Sequence, residues 1–230
     1  MSMHSAYYDD EAVAREVAAG RHREAIGGLW DELGHLQLDF LKSRGLAPSH
    51  RLLDVGCGSL RLGRLAVDYL EPGHYFGIDL SDALIQAGYE RELSGPQRAR
   101  LPRGHLVATA DFDLAALPGD FDIAIAQSVF THLPLNHVRR CVAKVAERLV
   151  PGGVFFATAW LVPDGWPLTE PCPQSGAIDG VPIITRDIAD PYHYRLDDFA
   201  RIADDVGVDF HPVGAWGHPR SMPMLAFSRP

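Results

Sequence analysis

Apolar residues Ile26, Leu29, Trp30, Leu33, Leu36, Phe40 and Leu41 recur at spacings of three and four, a period that predicts one amphipathic helix from about residue 23 to Gly45. Residues 11–19 predict a shorter helix before it, broken at Gly20. Beyond Ala47-Pro48-Ser49 the rhythm changes. Short apolar runs over 51–55, 74–79, about 105–110, 121–126 and 154–160 read as strands. Helical patterns separate them: one carrying Leu60, Leu62, Leu65, Ala66, Tyr69 and Leu70, one capped by Ser81 or Asp82 and running to about Leu93, and one over about 135–149. Pro72-Gly73, Gly95-Pro96 and Pro151-Gly152-Gly153 punctuate the series. Strand and helix in such alternation predict an α/β fold, doubly wound on a mostly parallel sheet with right-handed crossovers.

The rhythm fails over 161–195, where six prolines and three glycines stand among Trp166, Cys172, Tyr192, His193 and Tyr194. An irregular connection of that length inside a compact domain is usually functional, and this one follows a strand end, so it reads as a substrate-side lid. Residues 196–206 predict a further helix. Strands over 209–213 and 222–227 follow, close enough through the turn-rich 214–219 to be adjacent and antiparallel. The organisation expected is one domain over 1–230: a helical cap (1–47), a ligand-binding core (51–160), the lid (161–195) and a C-terminal helix with two strands (196–230).

Acidic residues outnumber basic ones by 30 to 21, for a formal charge of -9, which disfavours binding to a phosphate backbone; no nucleic-acid partner is expected. Arg91, Arg98, Arg100 and Arg103 cluster locally and read as a solvated loop face. Cys57, Cys141 and Cys172 are too few and too far apart for a disulfide framework or a metal knuckle. His4, His22, His35 and the other histidines lack ligand spacing, so no metal is expected. Without a signal peptide or a long apolar span, the expected place is the cytoplasm, with no membrane partner.

The chemistry centres on Leu52-Leu53-Asp54-Val55-Gly56-Cys57-Gly58-Ser59-Leu60-Arg61-Leu62-Gly63, where a strand ends in a carboxylate, two glycines follow and a helical pattern begins. Such a turn exposes backbone N–H groups and lets a ligand approach closely. A nicotinamide dinucleotide would ask for G-x-G-x-x-G, yet the glycine after Gly58 is Gly63, and Asp54 would face the anionic end of that ligand. S-adenosylmethionine reverses the electrostatics. It carries an ammonium and a sulfonium and no phosphate, so Asp54 can hold the ammonium directly or through water, and Asp79 can accept both ribose hydroxyls.

Leu53-Asp54-Val55-Gly56-Cys57-Gly58, Gly77-Ile78-Asp79-Leu80-Ser81, Ala110-Asp111-Phe112, the run from Phe121 through Gln127 to His132-Leu133, and Pro151-Gly152-Gly153 resemble, in that order, the marks of class I S-adenosylmethionine-dependent methyltransferases. The resemblance implies a Rossmann-like sheet of seven strands, the last antiparallel. It implies that Gly56 and Gly58 line the methionine moiety, Asp79 holds the ribose, Leu80 packs on the adenine, Asp111 accepts from the adenine amino group, Phe112 flanks it, and Gln127 lies where a backbone carbonyl meets the ammonium. Ser59-Leu60 departs from the pattern, since many members have a small residue or a third glycine there.

Methyl transfer is an in-line displacement in which positioning does much of the work, and a base is needed only for an acceptor that arrives protonated. His132, just past a strand's C-terminal end, is the leading candidate base; His193, between two tyrosines in the lid, is the second. Arg61 is a candidate for the cofactor's carboxylate. Cys57 sits between the glycines, as a turn residue before a nucleophile. Trp30 and Gln37 on the long helix, with Tyr7 and Tyr8, are candidates for closing over the cofactor, although core packing is the favoured reading of that stripe. The acceptor expected is a small molecule, methylated at oxygen in preference to nitrogen or carbon. The rivals are a nicotinamide-dependent oxidoreductase and a noncatalytic cofactor-fold protein.

Overall fold

The computed structural model describes residues 9–178 and 180–230, which fall into two compact units that divide after Ile125. The first unit opens with helices α1 (Asp10–Ala18), α2 (His22–Ala25) and α3 (Trp30–Ser43). One helix was expected where α2 and α3 stand. The long pattern is cut at Gly27-Gly28-Leu29, all three at positive φ (87°, 63° and 49°), which no α-helix accommodates. The apolar period survives the break because α3 still buries Trp30, Leu33, Phe40 and Leu41.

Strands β1 (Leu52–Val55), β2 (Tyr75–Asp79), β3 (Leu106–Ala108) and β4 (Phe121–Ala126) follow, with α4 (Gly63–Tyr69), α5 (Asp82–Ala87) and α6 (Gly95–Arg100) between them. Strand β1 is buried along its whole length between β2 and β4, parallel to both, as continuous apolar runs in a doubly covered sheet should be. Ser81 caps α5 by accepting the Leu84 N–H at 3.3 Å. That helix loosens into a π-helical turn over Gly88–Glu92. Helix α6 stands where only a loop was expected. Ser94 and Gln97 form a capping box with proline in the first turn, so Gly95-Pro96 starts a helix where it was expected to open a loop.

The second unit holds α7 (Leu135–Ala146), β5 (Leu149–Thr158), β6 (Trp160–Leu161), β7 (Cys172–Ile178), β8 (Val181–Thr185), β9 (His193–Tyr194), α8 (Leu196–Val206), β10 (Asp209–Gly214) and β11 (Met224–Ser228). Its core is aromatic: Phe199 lies near Phe130, Tyr194, Phe210 and Phe227 with ring centroids 5.3 to 6.4 Å apart. Strand β5 begins ahead of Pro151-Gly152-Gly153 instead of after it. The lid is more regular than expected, because β7 and β8 form an antiparallel hairpin and β6 pairs with β9. Gly180, at φ 77° between the two strands, is the turn signal that the prolines obscured.

The main sheet has seven strands in the order β10-β11-β5-β4-β1-β2-β3, and β11 runs antiparallel to both β5 and β10. This is the architecture expected. Among the described residues, no helix is long and apolar enough to cross a membrane.

Candidate cofactor site

In the first unit, the N–H groups of Gly56 and Cys57 both donate to the Ile78 carbonyl, at 2.8 and 3.0 Å, folding the turn after β1 onto the end of β2. Asp79 pins it there. Its Oδ2 accepts the Gly58 N–H at 2.8 Å and its Oδ1 accepts the Ser81 N–H at 2.9 Å, so one carboxylate fastens the glycine turn and the start of α5. Its remaining acceptor capacity suits the hydroxyls of a ribose. Burial pushes the Asp79 carboxyl above its ordinary pKa, opposed by the N–H groups of Ser81, Gly58 and Leu80.

Asp54 lies beneath, only 4% exposed, and accepts the Tyr75 hydroxyl on Oδ2 at 2.7 Å. Burial raises its pKa to about 7 against the pull of Tyr75 and Arg61, with Asp79 adding to the rise. A buried carboxylate that the protein itself neutralises so incompletely is suited to a cationic ligand.

The other candidates of this unit occupy different roles. Cys57 turns its side chain inward, where its sulfur lies against Gly77; burial holds its thiol well above the ordinary range, so only its backbone faces the turn. Gly58, whose backbone was expected to line the ligand, packs on its Cα side against the protein: a Cβ there would stand 2.9 Å from Ile26 Cγ2. Leu60 adopts φ 66° with its side chain fully buried, and this left-handed residue keeps α4 from starting before Gly63. Arg61, expected at the cofactor's carboxylate, directs Nη1 to the carbonyls of Ile26 (3.3 Å) and Gly28 (3.0 Å). Gln37 lies on the buried face of α3, and its Oε1 has no hydrogen-bond partner. Trp30 is buried beneath the guanidinium groups of Arg23 and Arg64, 4.8 and 5.4 Å from the ring centroid, which favours the packing reading. Tyr7, Tyr8 and His4 lie outside the described residues.

Leu80 is half-buried after β2 and Asp111 exposed after β3. Thr109 organises that second loop, donating to Asp111 Oδ1 at 3.2 Å and accepting the Asp113 N–H at 3.2 Å, with Phe112 between them at φ 61°.

In the second unit, Gln127 is buried against Ser128 and His218. His218 Nδ1 accepts the Arg220 N–H at 3.1 Å, so the neutral ring carries its proton on Nε2 and donates to the Gln127 amide. That amide atom is therefore the oxygen. The 2.5 Å separation from Ser128 Oγ agrees, since it suits O–H···O and is short for N–H···O. Ser128, at φ 60°, is held by its own N–H donating to the buried Thr158 hydroxyl at 2.8 Å. His218 was not singled out in the sequence, because a histidine in a turn-rich loop carries no local signal.

His132 places Nδ1 2.7 Å from Asp190 Oδ1, a lid carboxylate that sequence spacing could not connect with it across 58 positions. Segment 161–195 clasps the same loop elsewhere: Tyr192 N–H donates to the Thr131 carbonyl at 2.7 Å and the Tyr194 hydroxyl to that of Phe130 at 2.6 Å. His193 is not available as a base. It is 2% exposed, with Nδ1 2.9 Å from Thr185 Oγ1 and Nε2 2.9 Å from the Leu168 carbonyl, and it ties segment 161–195 together from within. Among the described residues, no group of histidines, cysteines and carboxylates is arranged to hold a metal.

Residues 53–155 match the family model described as a methyltransferase domain. The match covers 103 of the chain's 230 residues and takes in β1 to β4 and most of β5. Relatives named ubiquinone biosynthesis O-methyltransferase are 32% identical over 130 residues in Aromatoleum aromaticum, covering 55% of this chain and 51% of that protein, and 32% over 129 residues in Thiobacillus denitrificans, covering 55% and 52%. The chain spans about half the length of the curated relatives it matches. Two solved structures share the fold. A magnesium protoporphyrin IX methyltransferase from Synechocystis with bound SAM has TM-score 0.58 at 17% identity, covering 86% of this chain and 81% of that one. An amino pentose methyltransferase from Micromonospora echinaspora, involved in calicheamicin biosynthesis and also SAM-bound, has TM-score 0.60 at 19% identity, covering 93% and 95%. The methyltransferase match contains Asp54, Gly56, Gly58, Asp79, Asp111, Gln127 and His132, and leaves Gln37, Asp190 and His218 outside it.

Proposed function

We propose that this protein transfers the methyl group of S-adenosylmethionine to the oxygen of a small-molecule acceptor. The observation that carries the reading is the pair of carboxylates at the glycine turn. Asp54 and Asp79 suit a ligand with a cationic end and a ribose, and Arg61, the cation nearest the turn in sequence, directs Nη1 to backbone carbonyls. A phosphate-bearing dinucleotide fits this donor set poorly. S-adenosylmethionine supplies an electrophilic methyl group on a positive sulfur.

Asp79 holds the ribose through the lone pairs left on its two oxygens. Asp54 balances the positive methionine end from below the turn, and the backbone of Gly56 to Gly58 lines it. Leu80, Asp111 and Phe112 receive the adenine. Asp190 orients the His132 imidazole by accepting its Nδ1–H, which leaves the Nε2 lone pair to take the acceptor's hydroxyl proton. The names of the aligned relatives support oxygen as the acceptor atom, and the histidine–carboxylate pair gives that choice its chemical reason.

Calorimetric titration with S-adenosylhomocysteine and with NAD tests the donor, and transfer of labelled methyl from S-adenosylmethionine to a panel of phenols, amines and carboxylates tests the acceptor. Binding of S-adenosylhomocysteine alone, with label on a phenol, is expected. A response to NAD, or S-adenosylhomocysteine binding with no transfer to any acceptor class, would overturn the reading.

A further inference from the structure

Residues 21–29 lie across the glycine turn as a strap. Ile26 packs on Gly58, the Ser59 hydroxyl donates to the His22 carbonyl at 3.1 Å, and Arg61 holds the carbonyls of Ile26 and Gly28. Its far end is gripped by one residue. Glu92, in the π-helical turn that follows α5, accepts Arg23 Nε and Nη2 at 2.7 Å each and faces His22 Nε2 at 2.7 Å. The Glu92 side chain is only 6% exposed, and the two arginine bonds hold its carboxyl below the ordinary range despite burial.

The strap ends on glycines. Gly20 and Gly28 have positive φ and open space where a side chain would stand, and glycine crosses between backbone regions with less steric restriction than other residues. The helices on either side are docked independently of the turn. Arg91 Nη1 donates to the Val17 carbonyl at the end of α1, and α3 lies on α4 with the Cβ position of Gly34 3.4 Å from Leu65 Cδ1. Two helices thus flank a short segment that covers the turn, carries glycines at both ends, is held over the turn by Ser59 and Arg61, and is fastened at its far end by charge-assisted hydrogen bonds to Glu92.

Resting on the reading of this turn as the S-adenosylmethionine site, we propose that residues 21–29 are the gate through which the cofactor enters and leaves, with Glu92 as its latch. Binding and release then wait on the strap swinging out about Gly20 and Gly27-Gly28, and the product S-adenosylhomocysteine is retained until Glu92 lets go. The irregular turn at Gly88–Glu92 serves this purpose: Gly88 packs against the Ser59 carbonyl while Glu92, one turn on, reaches the strap.

The test compares the full chain with Glu92→Gln and with Arg23→Gln, whose side chain is half exposed and whose loss threatens folding least. Stopped-flow tryptophan fluorescence gives association and dissociation rates for S-adenosylhomocysteine, and hydrogen exchange gives the opening of 21–29. Loss of a charge-assisted hydrogen bond should speed both association and dissociation by about tenfold, leave the dissociation constant changed by less than either rate, and raise exchange in 21–29 above that in α1 and α3. Unchanged rates, or faster dissociation with unaltered association, overturn the gate while the cofactor reading stands. Absence of S-adenosylhomocysteine binding to the unaltered protein overturns the cofactor reading, and the gate with it.

Discussion

Asp54→Asn should make the protein more stable at pH 8 and bind its cofactor worse. Asp54 is held at about 7 in the fold against 3.8 unfolded, so the folded state binds the proton more tightly. Its contribution to stability is most favourable below the unfolded value, declines as pH rises from about 4 to 7, and is fully unfavourable above that. At 1.36 kcal/mol for each tenfold change in proton affinity, keeping the carboxylate ionised costs on the order of 4 kcal/mol at pH 8. Asparagine removes that cost and still accepts the Tyr75 hydroxyl, but it buries an NH2 group whose lack of a partner costs about 1–3 kcal/mol.

The net expectation is a gain of about 2 kcal/mol at pH 8, or roughly 4–8 °C in melting temperature for a chain of this length, shrinking to nothing or reversing at pH 5. S-adenosylhomocysteine affinity should fall about 10–100-fold at pH 8, the value of a charge-assisted hydrogen bond to its ammonium. At pH 5 the two proteins should bind it alike, because Asp54 is then protonated. Thermal melts and calorimetry at both pH values measure this. A variant destabilised equally at pH 5 and pH 8 would refute the buried-carboxylate argument, and undiminished binding at pH 8 would refute Asp54 as the ammonium's counter-charge.

His132→Ala should lower kcat by about 10²–10⁴-fold with S-adenosylhomocysteine affinity unchanged, and Asp190→Asn should lower it less; turnover and calorimetry on the same samples separate the two effects. Leu60→Gly relieves about 1–2 kcal/mol of left-handed strain but empties a fully buried leucine site, so a net loss of about 1–3 kcal/mol in denaturant unfolding is expected. Gly176→Ala places a methyl group 2.1 Å from the Arg220 carbonyl oxygen, and should raise hydrogen exchange across β7 and β8 while leaving exchange in β1 and β2 as it was.

What the sequence makes legible follows from where the information lies. Strands β1, β2 and β4 and helix α8 sit within a residue or two of their expected places, because burial on both faces or an amphipathic stripe writes itself into a local period. The same period misleads at 23–45, where its apolar positions continue across Gly27-Gly28 although the backbone does not. The carboxylates of the site were visible because they stand in fixed relation to a turn. Their partners were not: Tyr75 meets Asp54 across two strands, Asp190 meets His132 across a lid, and Glu92 meets Arg23 across 69 positions. Such pairs are made by the fold, and a single chain of letters holds no trace of their distance.

Three of the five described non-glycine residues with left-handed backbone sharpen the same point. Leu60 follows β1, Phe112 follows β3 and Ser128 follows β4, so each stands just beyond the C-terminal end of a parallel strand, where ligands bind in open α/β sheets. Left-handed geometry costs an L-residue about 1–2 kcal/mol, and it persists only where neighbours over-determine it. The neighbours are identifiable. Complete burial fixes Leu60, the Thr109 hydroxyl bridges Asp111 and Asp113 around Phe112, and the Thr158 hydroxyl accepts the Ser128 N–H. Glycine would adopt these angles at less strain but would also leave them easily. A side chain held at positive φ by its surroundings makes a stiffer loop, and stiff loops at these strand ends are what an in-line transfer between positioned groups requires.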